Sequence, residues 1–564
     1  MNQKEIYDRW CGKAVSDPDL QRELHEIAGQ EDAIEDRFYR ELAFGTGGLR
    51  GVIGAGTNRM NVYVVGKATQ GYCQYLKAHF SAPSVAVAYD SRIKSSLFAR
   101  TAAGVFAANG VHVYMYPKLM PTPSLSFAVR HFECSGGIVI TASHNPSKYN
   151  GYKVYGPDGC QITTQAASDI LACIGAVDPF DGVSSLPFDD ALEQGLVTYI
   201  GDDTVQTYMD TVSKESLLPA AVPKDIAIAY TPLNGAGISC VPRCLAQNGF
   251  TNISIPEEQG TPDGHFPTCP YPNPEIREAL TVAIRHAGEV GAELVLATDP
   301  DCDRVGAAVK VDGEYVLISG NQMGVLLLDF VCRMRGEKGT MPARALAVKT
   351  IVTTKMAEQV AKHYGVEIVN VLTGFKFIGE QIGLLEKNGE QERYLFGFEE
   401  SYGYLSSTAV RDKDGVNAAL LICEMFAWYK HQGKTLLDGL QALYAACGYY
   451  TEKLLSFTFE GASGFRKMQY LMAELRRAPL SQAAGIAVET AADYLSEGTG
   501  LPKSDVVQYH LAGGTVATVR PSGTEPKLKI YLSACGKDGQ ESAAVVAKLE
   551  KFFTDWIHEN EDRA

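Results

Sequence analysis

A chain of 564 residues is long enough for three or four domains of ordinary size, each with its own core. The net charge of −15 argues against nucleic acid or an anionic membrane as a partner, since both would repel the chain. The 46% hydrophobic and 21% charged residues are typical of a water-soluble globular protein. The thirteen Cys are scattered and odd in number, and neither a signal peptide nor a membrane-length apolar run is visible. The sequence therefore predicts a cytoplasmic protein with reduced thiols.

Polar helices are predicted over the first forty residues, and a repeated strand–helix pattern follows them. In the first copy, strands at 84–90, 111–117 and 137–143 alternate with helices at 95–109 and 123–132. The same βαβαβ order returns twice, at 225–230, 237–248, 252–256, 275–290 and 292–298, and at 345–350, 354–364, 366–372, 377–387 and 394–400. Alternating strands and helices of these lengths predict mostly parallel sheets with helices on both faces.

The order of elements changes after about residue 450. Strands at 454–459 and 487–490 and a hairpin at Gly513–Gly514 surround a helix at 465–476, and a helix at 541–556 follows. The predicted fold class is therefore α/β, with three related βαβαβ-type mixed-sheet domains and a smaller C-terminal α+β domain. The expected domains are 1–205, 206–318, 319–445 and 446–564.

The last strand of each α/β copy runs into a polar loop. These strands end at Ser143, Asp299 and Glu399. Because ligands of open α/β sheets bind beyond the carboxyl ends of the strands, we expect the three loops to form one composite site if they face the same cleft.

The first loop exposes the hydroxyl of Ser143 beside His144, Asn145 and Pro146, with Lys153 a few residues on. A hydroxyl at a strand end next to such groups is what nucleophilic or phosphoryl-transfer chemistry requires. A capping serine before Asn-Pro is the alternative that this short segment leaves open.

The second loop carries Asp299, Asp301 and Asp303 at alternate positions, followed by Arg304. In extended backbone such carboxylates project to one side and repel each other unless a hard cation lies among them. A calcium loop of the EF-hand type is excluded, because its sixth and twelfth positions would be Arg304 and Lys310. Few oxygen ligands on a short loop suit Mg²⁺, and an acidic surface turn is the alternative.

Weaker patterns accompany the other loops. Glu399 and Ser401 suit hydrogen bonding to vicinal sugar hydroxyls, and further phosphate or hydroxyl contacts are expected from Thr373, Gly374, Lys376 and Lys413. In the tail, a guanidinium, two hydroxyls and a glycine predict a phosphate cradle at Arg520, Ser522, Gly523 and Thr524. Simple turns remain the alternative for these segments. A flexible loop with one cation, Arg50, is expected at 45–51.

With Ser143, the three aspartates, the sugar loop and the Arg520 loop in this order, the chain resembles the α-D-phosphohexomutase superfamily, and most of all its phosphoglucomutase branch. The resemblance runs from about Gly45 to Tyr531 and includes Thr231–Gly235. The family fold, three similar α/β domains and a smaller C-terminal domain around one cleft, agrees with the fold expected from the periodicity.

The resemblance implies that Ser143 is carried as a phosphoserine. Its phosphate would share Mg²⁺ with the three aspartates, Asp299, Asp301 and Asp303. The phosphoryl group would pass to a hexose monophosphate, so that glucose 1-phosphate and glucose 6-phosphate interconvert through glucose 1,6-bisphosphate, which also acts as activator.

The resemblance also implies roles for the surrounding residues. Arg304 and Arg50 are expected among the catalytic residues, and Arg304 would offset charge on the transferred group. Lys153 is the preferred base for the sugar hydroxyl proton, with a depressed pKa, and His144 is the alternative. The Arg520 cradle would hold the phosphate that is not reacting, and Glu399 and Ser401 would hold sugar hydroxyls.

The sugar is less firmly implied than the reaction. Glu400 stands where many phosphomannomutases have Met, which favours glucose- or pentose-phosphate mutases and glucose-1,6-bisphosphate synthases. Phosphopentomutase, phosphomannomutase and a non-enzymatic sugar-phosphate-binding regulator therefore remain alternatives. A monomer and a homodimer are both open.

Overall fold

The computed structural model describes residues 2–15, 17–44, 47–459, 461–522, 527–561 and 563, without the side chains of 164, 461 and 462. Three mixed α/β domains and an antiparallel C-terminal domain follow one another along the chain. By contacts the chain divides into two compact units, one made of Met1–Gly320, Phe375–Phe396 and Ser401–His431, the other of Asn321–Gly374, Gly397–Glu400 and Gln432–Ala564.

The predicted N-terminal helices are confirmed as α1 (Gln3–Lys13), α2 (Pro18–Glu26) and α3 (Glu31–Phe38). Their apolar faces meet in a small core of their own, centred on Trp10, whose side chain is buried. The Trp10 ring lies edge-on to Phe38, Tyr63 and Phe180, with ring centroids 5.2–5.9 Å apart. The N-terminal segment is thereby packed onto the first domain.

The first domain is built from β1 (Gly48–Val52), α4 (Val62–His79), β2 (Ser84–Tyr89), α5 (Ser95–Ala108), β3 (His112–Met115), α6 (Thr122–His131), β4 (Gly136–Ile140), β5 (Tyr149–Tyr155), α7 (Thr164–Gly175), α8 (Phe188–Glu193), β6 (Val197–Tyr199) and α9 (Asp202–Ser213). Its sheet has the order β1-β5-β4-β2-β3-β6. The predicted strand and helix positions between 84 and 140 are confirmed, and those strands pair in parallel.

Two antiparallel strands at one side of this sheet were not predicted. β5 returns beside β4, and β1 pairs with β5 at the edge. The flexible loop expected at 45–51 was wrong for Gly48–Gly51, which belong to β1, while Gly45 and Thr46 lie outside the described residues. Gly48 has φ 153°, and a Cβ there would lie 2.1 Å from the carbonyl oxygen of Tyr152. The glycine therefore permits a close approach of two strands rather than flexibility.

The second domain contains β7 (Ile228–Thr231), a 3₁₀ turn (Ala236–Ser239), α10 (Val241–Gln247), β8 (Ile253–Ser254), α11 (Glu257–Gly260), α12 (Arg277–Val290), β9 (Leu294–Thr298), β10 (Val305–Val311) and β11 (Glu314–Ile318). Its sheet has the order β11-β10-β9-β7-β8. The helix predicted at 237–248 is divided into the 3₁₀ turn and α10. β10 returns antiparallel to β9, as β5 does to β4, so the loops that carry Ser143 and Asp299 each join two neighbouring strands.

The third domain contains α13 (Gly320–Glu337), β12 (Leu346–Thr350), α14 (Met356–Tyr364), β13 (Glu367–Val371), α15 (Phe375–Lys387), a 3₁₀ turn (Gln391–Arg393), β14 (Tyr394–Glu399), β15 (Gly403–Leu405), α16 (Gly415–His431) and α17 (Leu436–Cys447). Every element predicted for the third copy is present, and β12 and β13 pair in parallel. None of the helices in the described chain combines the length and apolar character that a membrane crossing requires.

The C-terminal domain contains β16 (Tyr449–Thr458), α18 (Gly461–Arg477), β17 (Gln482–Ala483), β18 (Ile486–Asp493), β19 (Val507–Leu511), a 3₁₀ turn (Ala512–Gly514), β20 (Thr515–Pro521), β21 (Lys527–Gly536) and α19 (Gly539–Glu561). Its antiparallel sheet has the order β16-β21-β20-β19-β18-β17. The hairpin predicted at Gly513–Gly514 is confirmed between β19 and β20. The expected domain boundaries remain a prediction.

Candidate active site

The nucleophile loop, defined as residues 141–149, runs from the end of β4 to the first residue of β5 and presents Ser143. The Ser143 backbone is left-handed, with φ 51°. Its N–H donates to Thr141 Oγ1 (2.8 Å), and its Oγ donates to Asp299 Oδ2 (2.7 Å) and lies 3.2 Å from His144 Nδ1. The hydroxyl predicted as nucleophile is therefore next to the predicted metal loop.

Asp299, Asp301 and Asp303 lie in the loop between β9 and β10. All three are buried, and one oxygen of each lies within 4.8 Å of the others. Asp299 Oδ1 accepts hydrogen bonds from the backbone N–H groups of Asp303 (3.1 Å) and Arg304 (3.0 Å), which hold the loop in a turn. Asp301 Oδ2 accepts one from Thr122 Oγ1 (3.0 Å).

This acidic group has the properties of a metal site. Oδ1 of Asp301 and Oδ1 of Asp303 are buried and accept no hydrogen bond from any described residue. Burial, together with the neighbouring charges of Asp301 and Asp303, raises the pKa of Asp299 well above its usual value. Buried carboxylates with unused oxygens and too few donors fit a hard dication such as Mg²⁺, which prefers oxygen ligands.

Two lysines approach the acidic group. Lys153 Nζ lies 2.8 Å from Asp301 Oδ2 and 3.3 Å from Asp303 Oδ2, and Lys413 Nζ lies 3.1 Å from Asp303 Oδ2. Burial alone would lower the pKa of Lys153, but Asp301 and Asp303 outweigh it and raise that pKa. The depressed pKa expected for Lys153 is thus the opposite of what these ion pairs produce. Lys413, expected at the sugar, has its ammonium beside the aspartates.

The remaining predicted groups of this region have defined partners. Arg50 Nη1 donates to Asn145 Oδ1 (3.2 Å), and Arg304 is paired with Glu275. Burial and the positive charges of Arg304 and Arg50 lower the pKa of His144 well below its usual value. Neutral His144 therefore has one ring nitrogen able to accept a proton or hydrogen bond.

Two residues that the sequence did not single out also contact the nucleophile loop. Asp90 and Arg92 follow β2, and the side chains of both are fully buried. Asp90 Oδ2 accepts a hydrogen bond from Thr141 Oγ1 (2.7 Å), and Arg92 donates to the loop's carbonyls. The sequence did carry one signal: two opposite charges stand directly after an apolar strand, and charges buried at such a place must be paired.

Two residues of the predicted sugar loop, Glu399 and Glu400, lie in the second unit, and their side chains accept hydrogen bonds from other segments of that unit. Gly374 N–H donates to Glu399 Oε1 (2.9 Å), and Thr373 Oγ1 is buried with no hydrogen-bond partner in the described chain. Glu400 Oε2 accepts from Thr353 Oγ1 (3.0 Å). The segments 373–374 and 399–400 are therefore adjacent.

The other predicted contacts lie elsewhere in the chain. Lys376 is in the first unit; burial lowers its pKa, and its carbonyl accepts the thiol of Cys160 (3.2 Å). Ser401 is half-buried in the turn after β14. Arg520 lies near the end of β20, and the N–H of Ser522 donates to the carbonyl of Lys527 (2.7 Å). Gly523 and Thr524 lie outside the described residues, so their part in a phosphate cradle remains a prediction.

Comparison with known proteins assigns this arrangement to a family. Four consecutive family models match the chain, those of the phosphoglucomutase/phosphomannomutase α/β/α domains I, II and III and C-terminal domain, over residues 41–179, 206–313, 319–447 and 451–551. The chain belongs to the α-D-phosphohexomutase superfamily. It is accordingly a phosphohexomutase, an isomerase that moves a phosphoryl group within a phosphosugar.

Relatives within the superfamily extend over most of the chain. Phosphoglucomutase from Staphylococcus haemolyticus (strain JCSC1435) is 36% identical over 513 residues, which is 88% of this chain and 91% of the relative. Phosphoglucomutase from Staphylococcus aureus (strain USA300) is 36% identical, over 89% of this chain and 92% of the relative.

Solved structures share the phosphohexomutase fold. A phosphoglucomutase/phosphomannomutase family protein from Burkholderia thailandensis superposes with a TM-score of 0.66 at 18% identity, covering 91% of this chain and 96% of the other. The open form of Paramecium parafusin, a phosphoglucomutase, gives 0.64 at 18% identity, covering 90% and 95%.

Proposed function

We propose that this phosphohexomutase interconverts glucose 1-phosphate and glucose 6-phosphate through a phosphoserine at Ser143 and a glucose 1,6-bisphosphate intermediate. The observation that carries the proposal is the hydrogen bond from Ser143 Oγ to Asp299 Oδ2, one of three clustered buried aspartates. The choice of glucose rests on relatives named phosphoglucomutase over nine-tenths of their length.

In the forward half-reaction, the bond between phosphorus and Ser143 Oγ breaks as phosphorus bonds to a hydroxyl oxygen of the sugar phosphate. The hydroxyl proton leaves to a base. Lys153 and His144 are the two candidates, and the raised pKa of Lys153 favours neutral His144. In the return half-reaction, the bond between the other phosphorus and its sugar oxygen breaks as that phosphorus bonds to Ser143 Oγ, and the base returns the proton to the freed sugar oxygen. Atoms and charge balance over the cycle, so no co-substrate is consumed.

Asp299, Asp301 and Asp303 would hold Mg²⁺ together with the phosphate on Ser143. When bound, this cation supplies Lewis-acid neutralisation of the charge on the transferred phosphoryl group. Lys153 and Lys413 keep the pKa of Asp303 low against the opposing effect of burial, so that this carboxylate stays ionised and able to bind a cation.

Other residues would bind the parts of the substrate that do not react. We assign sugar hydroxyls to Glu399 and Ser401, with Thr373, Gly374 and Lys376 as further contacts, whereas Lys413 stays beside Asp303. The distal phosphate is assigned to Arg520, Ser522, Gly523 and Thr524. Arg50 and Arg304 would offset charge near Ser143. Because the two phosphates exchange roles, the bisphosphate must turn around between the half-reactions.

The deciding experiment is conversion of glucose 1-phosphate to glucose 6-phosphate with Mg²⁺, with and without catalytic glucose 1,6-bisphosphate. We expect turnover that the bisphosphate stimulates and a chelator removes. Mannose 1-phosphate and ribose 1-phosphate are assayed beside it, and a higher kcat/KM on either would overturn the choice of glucose. Binding of sugar phosphates without turnover on any of them would instead indicate a regulator.

A further inference from the structure

We propose that Arg92 is a positioning residue for phosphoryl transfer, because its guanidinium holds the backbone of the nucleophile loop in the conformation that aims Ser143 at Asp299. The inference rests on the proposed role of Ser143. It assigns Arg92 no contact with substrate, only control of where the reacting oxygen lies.

One guanidinium binds four carbonyl oxygens of the same loop. Arg92 Nη2 donates to the carbonyls of Ser143 and Asn145, and Nη1 donates to those of Pro146 (3.0 Å) and Tyr149 (3.1 Å). Since a guanidinium is planar and presents its N–H groups in a fixed fork, the four acceptors are fixed relative to one another. The nucleophile loop is therefore tied to a single rigid group along much of its length.

Asp90 holds the guanidinium in place and ties it to the start of the loop. Asp90 Oδ2 lies 3.3 Å from Arg92 Nε and accepts a hydrogen bond from Thr141 Oγ1 (2.7 Å). Asp90 Oδ1 accepts from the backbone N–H of Arg92 (2.9 Å) and from Ser95 Oγ (2.7 Å). Thr141 Oγ1 in turn accepts the N–H of Ser143. The carbonyl of Ser143 is thus bonded directly to Arg92, and its N–H is connected to Asp90 through the Thr141 hydroxyl.

The loop requires such restraint because Ser143 is left-handed, at φ 51°, a conformation that residues other than Gly, Asn and Asp rarely adopt. Arg92 binds the carbonyl of this residue directly. Without that bond we expect the backbone to relax and the Ser143 Oγ to move away from Asp299.

The second domain covers the other face of the guanidinium. The Phe266 ring lies 5.1 Å from the Arg92 guanidinium carbon, and Arg92 and Gly264 form an isolated parallel bridge. A Cβ on Gly264 would lie 2.4 Å from the backbone nitrogen of Ile93, so the two segments are in close contact. Water is kept from Arg92, which strengthens its bonds to the loop.

The test is Arg92→Lys, which keeps the positive charge opposite Asp90 but replaces the planar fork by one ammonium. We expect kcat for glucose 1-phosphate to fall about 100-fold, as is typical of a misplacement of about 1 Å at a reacting atom. KM should stay close to the wild-type value, because no residue assigned to the sugar or the distal phosphate has changed.

A second readout separates positioning from general stability. Dephosphorylated protein is mixed with glucose 1,6-bisphosphate, and phosphorylation of Ser143 is followed by intact mass, well below the melting temperatures of both proteins. The single-turnover rate should fall by about the same factor as kcat. Arg130→Lys is the matched control: it makes the same exchange on α6, where Arg130 bonds to the carbonyl of Asp158 and to Glu386. It should leave both rates unchanged.

An Arg92→Lys protein that phosphorylates Ser143 as fast as the wild type would overturn the inference. So would a protein in which a fall in kcat comes with a comparable rise in KM and a lower melting temperature, since that pattern indicates general damage to the fold. If Arg92→Lys does not fold, Thr141→Val tests the same restraint from its other end, and an unchanged kcat there would contradict it. Absence of Ser143 phosphorylation in the wild type would contradict the proposed function instead, whatever Arg92 does.

Discussion

Ser143 Oγ and Asp299 Oδ2 lie 2.7 Å apart, and this hydrogen bond joins the loop after β4 to the loop after β9. The two loops belong to different domains and stand 156 residues apart in the sequence. Each lies between a strand and the antiparallel strand next to it. Equivalent positions in two similar sheets therefore supply the hydroxyl and the carboxylates of one site.

Replacing Ser143 by alanine removes the proposed phosphoryl carrier and little else. We expect Ser143→Ala to lower kcat by at least ~10⁴-fold, as loss of a nucleophile does in other enzymes, with unchanged circular dichroism. Ser168→Ala, at an exposed serine on α7, is the control and should retain full activity. Substantial turnover by Ser143→Ala would refute the assignment of the nucleophile.

Asp301→Asn tests the acidic group as a metal site by stability as well as by activity. A ligand that binds only the folded state stabilises it by about 2.7 kcal/mol at 100 times its Kd, so Mg²⁺ should raise the melting temperature of the wild type. Asp301→Asn should lose most of this shift and require more Mg²⁺ for activity. Asp312→Asn, in the exposed β10–β11 turn, should behave as the wild type. An equal Mg²⁺ shift in all three proteins would argue against the site.

Asp414 makes stability depend on pH. Burial raises its pKa to about 6, above the value in an unfolded chain, even though its Oδ1 accepts hydrogen bonds from Tyr208 OH (2.8 Å) and the backbone N–H of Asn417 (2.9 Å). Because the unfolded state ionises first as pH rises, this carboxyl destabilises the fold progressively from about pH 4 to pH 6, by roughly 3 kcal/mol in all.

Asp414→Asn keeps the accepting oxygen and removes the titration. Relative to the wild type, the variant should gain stability between pH 4.5 and pH 7.5, measured by thermal unfolding at both values. Asp190→Asn, the same exchange at an exposed residue of α8, is the matched control. Parallel stability curves for Asp414→Asn and wild type would show that the pKa is not raised.

The N-terminal helices should contribute strongly to the stability of the first unit. Trp10 is 1% exposed and contacts three aromatic rings, so Trp10→Ala is expected to lower the free energy of unfolding by about 3–5 kcal/mol. Denaturant titration followed by circular dichroism measures the loss. Tyr39→Ala, at an aromatic residue that is 46% exposed in the same segment, should cost far less. Equal losses would mean that the Trp10 cluster adds no specific stability.

The parallel strands and their helices could be predicted because the pattern is local. Ser84–Tyr89 is a short apolar run, followed by a helix that starts at Ser95. β1 could not be predicted, since its two glycines indicate a loop, and only pairing with β5, about a hundred residues later, makes it a strand. Long-range pairing of this kind has no local periodicity to reveal it.

The candidate site also contains some residues that could be predicted from the sequence and others that could not. The aspartates were visible because alternate carboxylates after an apolar strand form a local pattern. Arg92 was not, because its partners are backbone carbonyls 51–57 residues away, and backbone acceptors leave no trace in residue type. The high pKa of Lys153 was also missed, since it depends on the folded distance to Asp301.

The left-handed backbone at Ser143 restricts which hydroxyl amino acid can occupy the position. Threonine would retain the oxygen, but its extra methyl group on Cβ makes a positive φ still less favourable than it is for serine. The energy needed to hold that backbone would oppose the hydrogen bond to Asp299. We therefore expect the two alcohols not to be interchangeable here, although either could in principle carry a phosphoryl group.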